Sequence, residues 1–143
     1  MNGYSNNYRN NQVMTASPEQ ILIMLYDGAI RFVRQGKQAI IDGRQADKAT
    51  AISKAMAIIT EFSSTLDYKV GGEIALDLSQ LYDFIIRELS AVNARGDASR
   101  LEPVEKILLD LREGFAGAAE INRSATQPVA KNESATKQVA VSF

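Results

Sequence analysis

Apolar residues recur every three or four positions over most of this chain, and that spacing predicts α-helices. The first helix has a well-defined start, because Ser17 can serve as its N-cap, Pro18 occupies the first helical position and Gln20 completes a capping box. We expect this helix to end near Asp42 and Gly43.

Two further helices follow from the same periodicity. The stretch 44–66 contains neither proline nor glycine and predicts a second long helix. Residues 67–72 predict a turn that includes two glycines, and residues 73–95 predict a third helix. The connections between these helices are short, which favours antiparallel neighbours.

A fourth helix is predicted to follow, with its apolar residues on a single stripe. Its start has two interpretations. Ser99 and Glu102 form a capping box, or the helix starts near Glu102 with Pro103 at its first position. The sequence therefore predicts an all-α fold, an antiparallel up-down four-helix bundle formed by residues 17–122.

The two ends of the chain differ in composition from the helical part. Residues 1–16 are polar and rich in asparagine, which predicts a flexible N-terminal arm. Residues 123–143 lose the helical periodicity and contain mainly serine, alanine, threonine, glutamine, lysine and valine, which predicts a disordered C-terminal tail.

The predicted helices carry more apolar surface than one bundle interior requires. In the first helix, only Asp27, Gly28 and Arg31 interrupt the apolar and aromatic residues of the stretch 21–33. The second and third helices also have apolar arcs wider than a single packing seam. The excess must be exposed, covered by the arm, or buried in a dimer or a client protein.

Small residues on the second helix indicate where a client could bind. Ala51 and Ala55 lie one turn apart, next to Ile58 and Phe62, and predict a shallow groove that a guest helix could approach closely. The alternative is that these alanines serve only as good helix formers. The candidate client-binding groove comprises Ala51, Ala55, Ile58, Phe62, Leu78, Leu81, Tyr82 and Ile85.

The composition argues against several classes of function. The 143 residues include no cysteine and no histidine, and 16 basic and 17 acidic residues are dispersed along the chain with a net charge of −1. There is therefore no thiolate metal site, no basic stripe for nucleic acid and no paired-carboxylate site. We expect no enzyme activity, no cofactor and no nucleic-acid partner.

The chain also lacks an apolar run long enough to span a membrane and an apolar segment typical of a secretory signal. We therefore expect a cytoplasmic protein without membrane insertion.

Three groups of residues form motifs that occur in the same order in a known family. The segments are Thr15–Pro18 with Leu25–Ala29, Leu66–Asp67 with Gly71–Ala75, and Leu81–Asp83 with Ala91–Asn93. Through them the chain resembles the flagellin export chaperones of bacterial flagellar assembly, the FliS family. One departure is Phe115, where members of the family often have tryptophan. Phenylalanine keeps the apolar anchor and loses the indole donor.

The resemblance implies the four-helix bundle and a specific function. Chaperones of this family bind the C-terminal helical segment of flagellin, prevent its premature polymerisation in the cytoplasm and deliver it to the flagellar type III export apparatus. A gate component of that apparatus and other flagellar regulators are the further partners that the resemblance implies.

The resemblance also gives the N-terminal arm a role, because the segment before the first helix covers apolar surface that the client later occupies. The candidate anchors of this cover are Tyr4, Tyr8, Val13 and Met14. The alternative is that the two tyrosines are mobile surface aromatics. An alternative function is also open, in which a homo-oligomeric helical protein uses the spare apolar stripes for self-association.

Overall fold

The computed structural model describes residues 16–125, and this part of the chain forms four α-helices and one short 3-10 helix. The short connections place neighbouring helices antiparallel, as in an up-down bundle. The predicted all-α four-helix bundle is confirmed. The helices are α1 (Pro18–Ile41), α2 (Gln45–Ser64), α3 (Tyr68–Arg95) and α4 (Leu101–Ala125), and the 3-10 turn is Ala98–Arg100.

The start of α1 has the predicted capping box. The backbone N–H of Gln20 donates to Ser17 Oγ at 3.2 Å, and the backbone N–H of Ser17 donates to Gln20 Oε1 at 2.9 Å. Pro18 fills the first helical position, where a missing N–H leaves no acceptor unsatisfied. The helix ends with Asp42 as its C-cap, as the sequence predicts.

The start of α3 differs from the prediction. The side chain of Asp67 accepts hydrogen bonds from the backbone N–H groups of Lys69 and Val70, at 3.0 and 3.1 Å, so a helical turn begins at Tyr68. Gly72 then breaks the helix with φ 53° and ψ −125°, a conformation that glycine adopts without a Cβ penalty. The segment predicted as a turn is therefore a capped helical turn followed by a kink.

The start of α4 matches neither of its two interpretations. Asp97 Oδ1 accepts hydrogen bonds from the backbone N–H and the hydroxyl of Ser99, which supports the 3-10 turn. The α-helix begins at Leu101, so Pro103 lies in its first turn, where a backbone N–H has no partner within the helix. At its other end α4 reaches Ala125, three residues past the predicted boundary.

An aromatic cluster at the centre of the bundle takes one side chain from each helix. The ring of Tyr26 stacks on Phe62 with a centroid distance of 4.4 Å and on Phe115 at 5.4 Å. Its hydroxyl oxygen lies 2.6 Å from that of Tyr82, within hydrogen-bond distance. Stacked pairs of this kind contribute about 0.5–1.5 kcal/mol beyond the area that they bury.

Helices α1 and α2 pack closely because small residues meet between them. A Cβ placed on Gly36 would stand 2.6 Å from Ile52 Cδ1 and 3.8 Å from the Cβ of Ala51, so α2 lies directly against the backbone of α1. Ala51 and Ala55 are both buried. This pair of helices forms the most extensive contact in the bundle.

Helix α4 is joined to α1 by two ion pairs. Arg34 Nε lies 2.7 Å from Glu105 Oε1, and Arg112 Nε lies 2.9 Å from Asp27 Oδ1. These side chains are partly exposed to solvent, so each pair contributes at most about 1 kcal/mol. The two ion pairs identify the side of α4 that faces α1.

A buried lysine connects α2 to the C-terminal end of α3. Lys48 on α2 is only 8% exposed, and its ammonium group donates to the backbone carbonyl of Asn93 at 3.1 Å. The last carbonyls of a helix have no partner within the helix, and a cation at that end is favoured by the helix dipole. Lys48 therefore caps the C-terminal turn of α3 from a neighbouring helix.

We expect Gly36→Ala to lower the free energy of unfolding by up to about 2 kcal/mol, because the overlap of the new methyl group with buried Ile52 outweighs the gain in helix propensity. The matched control is Gly114→Ala, where a Cβ meets nothing within 4 Å. Alanine there should raise the free energy of unfolding by up to about 1 kcal/mol through helix propensity. Urea titration followed by circular dichroism measures both, and equal stabilities for the two variants would contradict the close packing.

Candidate functional site

Most of the exposed apolar surface lies toward one end of the bundle. Of seven large apolar side chains that the described residues expose, six lie near the end where α1 begins, α4 ends and α2 connects to α3. The seventh, Ile41, is 65% exposed at the opposite end. We refer to the six as the apolar end: Leu25, Tyr68, Val70, Ile74, Leu76 and Ile121.

Four of these residues lie on the two sides of the kink at Gly72. Tyr68 and Val70 precede the kink, and Ile74 and Leu76 follow it, with exposed fractions between 46% and 53%. The turn before the kink does not continue the buried stripe of α3, and Ile74 and Leu76 lie on either side of that stripe, next to buried Ala75. Four apolar side chains are therefore presented to solvent within nine residues.

One flank of α4 carries half-buried apolar residues that face away from α1. The ion pairs of Glu105 and Arg112 mark the α1 side of the helix. Ile107 and Leu111 are one turn apart and fall on the other flank, toward α3. Both side chains are partly buried against the core and remain partly exposed.

The facing flank of α3 is identified in the same way. Glu88 accepts a hydrogen bond from Arg100 Nη1 at 2.7 Å, so this side of α3 faces the start of α4. Phe84 and Leu81 lie one and two turns before Glu88 on the same side. Both are half-buried.

These two flanks form an apolar groove that the bundle does not close. Helix α4 packs along α1, whereas it approaches α3 closely at far fewer positions. The space between α3 and α4 is therefore lined by partly exposed side chains, and Ile74, two turns before Leu81, continues it into the apolar end. We call this groove the α3–α4 seam, and its lining residues are Leu81, Phe84, Ile107 and Leu111.

The structure places the groove residues predicted from the sequence in two different environments. Six are buried in the core, and α1 lies against Ala51, where a guest helix was expected. In the described bundle both alanines are covered by their neighbours, so a client helix would reach them only if the helices moved apart, and their role in client binding stays a prediction. The buried six are Ala51, Ala55, Phe62, Leu78, Tyr82 and Ile85.

The two remaining residues of that set are partly exposed. Leu81 belongs to the α3–α4 seam, and Ile58 lies on the outer side of α2 next to α1. The four residues assigned to the N-terminal cover lie outside the described residues, so the cover stays a prediction. Most of the apolar end was missed from the sequence, although apolar residues within the predicted turn, such as Tyr68 and Val70, were a visible signal.

The polar chemistry inside the bundle is structural. Burial raises the pKa of the Tyr26 phenol far above its usual value, and the neighbouring Tyr82 raises it further. Burial also raises the pKa of Tyr82, although the hydrogen bond with Tyr26 opposes this effect. Within residues 16–125, no group of three or more acidic side chains could hold a metal ion. No helix of this part of the chain is long and apolar enough to cross a membrane.

The fold and its surface define a helical bundle that presents a partly open apolar groove to its surroundings. The family model for the flagellar protein FliS matches residues 1–122. The flagellar secretion chaperone FliS of Salmonella typhimurium strain LT2 is 41% identical over 104 residues, which cover 72% of this chain and 77% of the relative. That of Bacillus subtilis strain 168 is 32% identical over 116 residues, which cover 81% and 86%.

A solved structure supports the fold independently. A crystal structure of a flagellar chaperone from bacteria superposes with a TM-score of 0.69 at 22% sequence identity, covering 82% of this chain and 96% of that chain. The chain belongs to the FliS family of flagellar secretion chaperones. The resemblance found in the sequence motifs is confirmed.

We expect Tyr82→Phe to lower the free energy of unfolding by about 1–3 kcal/mol, because the Tyr26 hydroxyl then loses its hydrogen-bond partner in the core. Replacing both tyrosines by phenylalanine should cost less than the sum of the two single changes, since no orphaned hydroxyl is left. Denaturant titration of the four proteins of this cycle measures the coupling. Additive changes in the free energy of unfolding would contradict the coupling between the two hydroxyl groups.

The same pair predicts a pH dependence. An unfolded tyrosine ionises near pH 10, whereas the folded pair has raised pKa values and stays neutral. The stability that the pair contributes is therefore complete below pH 10 and is lost as the pH rises further. The variant with two phenylalanines should lose less free energy of unfolding between pH 9 and pH 11 than the original protein, as measured by denaturant titration.

We expect Ala55→Asp to destabilise the bundle severely, because Ala55 is fully buried and an aspartate there has no solvent access. The reduction should be large enough to lower the thermal midpoint by well over ten degrees or to prevent folding. Thermal unfolding with circular dichroism checks this. Ala57→Asp, on the exposed side of α2, is the control and should remain folded. A stable Ala55→Asp protein would support the prediction of an open groove on α2.

Proposed function

We propose that this protein binds the C-terminal segment of flagellin in the cytoplasm, prevents its premature polymerisation and delivers it to the flagellar type III export apparatus. The observation that carries the proposal is the partly open α3–α4 seam in a member of the flagellar secretion chaperone family. Delivery requires contact with a gate component of the apparatus, and other flagellar regulators are candidate partners.

The α3–α4 seam has the physical properties that a helical client requires. Its lining residues are apolar, it runs along two antiparallel helices, and Ile74 connects it to the exposed residues of the apolar end. An amphipathic helix binds such a groove by burying its apolar face. A segment that folds on binding must offset its loss of conformational entropy, and a long apolar path supplies the necessary burial.

Within the set predicted from the sequence, Leu81 keeps its proposed role as a client contact because it lines the α3–α4 seam. The buried members support the groove from below. Tyr82, for example, lies on the core side of α3, one residue away from Leu81. The N-terminal arm, with Tyr4, Tyr8, Val13 and Met14, is proposed to cover this apolar surface until the client displaces it.

A second candidate function is self-association. The exposed residues of the apolar end favour it, because monomeric proteins seldom expose a cluster of large apolar side chains. Light scattering of the pure protein across a range of concentrations separates the two functions. A stable oligomer that persists when flagellin is added supports self-association, whereas a monomer that forms a complex with flagellin supports the chaperone.

We expect the protein to bind monomeric flagellin with a dissociation constant below about 10 µM, since a weaker complex would dissociate at cellular concentrations. Isothermal titration calorimetry measures this value. Flagellin that lacks its C-terminal segment is the control and should give no binding. Equal binding by both forms of flagellin would contradict the proposed segment, and no binding by either would contradict the proposed function.

We expect Ile74→Asp to weaken flagellin binding at least tenfold, because a carboxylate on the client path must lose its water when the client binds. Ile74 is 53% exposed, so the bundle itself should remain folded. The matched control is Ile41→Asp, which places the same charge at a 65% exposed position on the opposite end. If both variants bind equally well, the apolar end is not part of the client site.

A further inference from the structure

Two cations lie over one aromatic ring on the outer side of α1 and α2. The guanidinium carbon of Arg31 is 5.3 Å from the ring centroid of Phe32, and the ammonium nitrogen of Lys54 is 5.5 Å from it. Both cations belong to exposed residues, and Phe32 is half-buried. The ring therefore attracts two positive charges on an open surface.

No acidic side chain of the described residues neutralises this pair. Asp27 pairs with Arg112 and Asp47 with Arg44, and Glu61, one turn after Ile58 on α2, forms an ion pair with neither cation. Within residues 16–125, neither Arg31 nor Lys54 forms an ion pair. This differs from the α1–α4 contact, where the arginines that connect the helices have acidic partners.

Apolar surface continues beside the two cations. Leu25, two turns before Phe32, is 37% exposed. Gly28 has no side chain, and the space that a Cβ would occupy there is bordered by Ile58 Cδ1 at 3.6 Å and Arg31 Nη2 at 3.8 Å. The cations, the ring and two aliphatic side chains thus form one continuous area, which we call the α1–α2 face: Leu25, Arg31, Phe32, Lys54 and Ile58.

The α1–α2 face also has a concave part. Lys54 lines a cavity of about 360 Å³ between the two helices, together with Gln35, Thr50 and the ion pair of Arg44 and Asp47. A side chain of a partner that enters this cavity would pass the ammonium group of Lys54.

We propose that the α1–α2 face binds an acidic amphipathic segment of a partner protein. Carboxylates of the segment would pair with Arg31 and Lys54, and its apolar side chains would cover Leu25 and Ile58. The charge complementarity selects this partner, because a basic segment would be repelled and an uncharged one would leave both cations unpaired. The face meets the apolar end at Leu25 but otherwise lies on the outer side of α1 and α2, across the bundle from the α3–α4 seam. It therefore provides a second binding surface.

The test uses a synthetic 16-residue helical peptide with leucine along one face, glutamate on both borders of that face and alanine elsewhere. Titration into the ¹⁵N-labelled full-length chain should shift the amide resonances of Gly28, Phe32, Lys54 and Ile58. Binding should weaken at least tenfold when glutamine replaces every glutamate. It should also weaken when the salt concentration is raised from about 0.05 to 0.5 M, because salt screens exposed charges.

The matched variants are Lys54→Glu and Lys106→Glu, which make the same charge change at exposed positions on α2 and on α4. Lys54→Glu should weaken the binding of the acidic peptide at least tenfold, and Lys106→Glu should change its dissociation constant by less than twofold. Circular dichroism confirms that both remain folded. Equal binding of the glutamine peptide, equal effects of the two variants, shifts confined to residues 68–76, or no binding at about 1 mM peptide would each overturn the proposal.

Flagellin titrations with the same two variants separate this proposal from the proposed function. Both variants should bind flagellin as the original protein does, since the seam and the apolar end are unchanged. If Lys54→Glu weakens the binding of both flagellin and the acidic peptide, the α1–α2 face is part of the client site, and the proposal of a second surface is disproved. If flagellin fails to bind any of the proteins, the peptide result still stands by itself.

Discussion

Tyr26 is the residue on which the arrangement of the four helices depends. It stacks on a ring from α2 and a ring from α4, and its hydroxyl meets that of Tyr82 on α3. One side chain of α1 thereby contacts all three other helices. A hydroxyl in an apolar core has few partners, so an arrangement that separates Tyr26 from Tyr82 leaves two polar groups unsatisfied. The pair of hydroxyls therefore favours one register of α1 relative to α3 over registers shifted along the helices.

The distribution of small side chains explains why the bundle is open on one side. Glycine and alanine between α1 and α2 bring these helices together, and α4 attaches to the other side of α1 with the support of two ion pairs. Helix α3 is held by the core and by contacts near its C-terminal end, where Lys48 and Arg100 reach it. The half-buried apolar residues between α3 and α4 are the consequence of this uneven packing.

Much of the fold could be predicted from the sequence, because the periodicity and the Ser17 capping box are local signals. The groove could not, since Ala51 and Ala55 have the same pattern whether they face a client or a neighbouring helix, and only tertiary packing decides between the two. The kink at Gly72 was hidden for a related reason. Consecutive glycines indicate a turn, and the Asp67 cap that makes a helical turn before them depends on a single side chain.

The break at Gly72 also divides α3 into parts that need not open together. Residues 68–71 form one isolated turn, which is held by the Asp67 cap and by the hydrogen bond from Gly71 N–H to the Asp67 carbonyl at 2.7 Å. Their backbone amides do not belong to the continuous hydrogen-bond ladder that follows the kink. This turn can unravel by local fluctuation while the rest of α3 stays intact. Local unfolding of this turn therefore lets Tyr68 and Val70 of the apolar end move without disturbing the core.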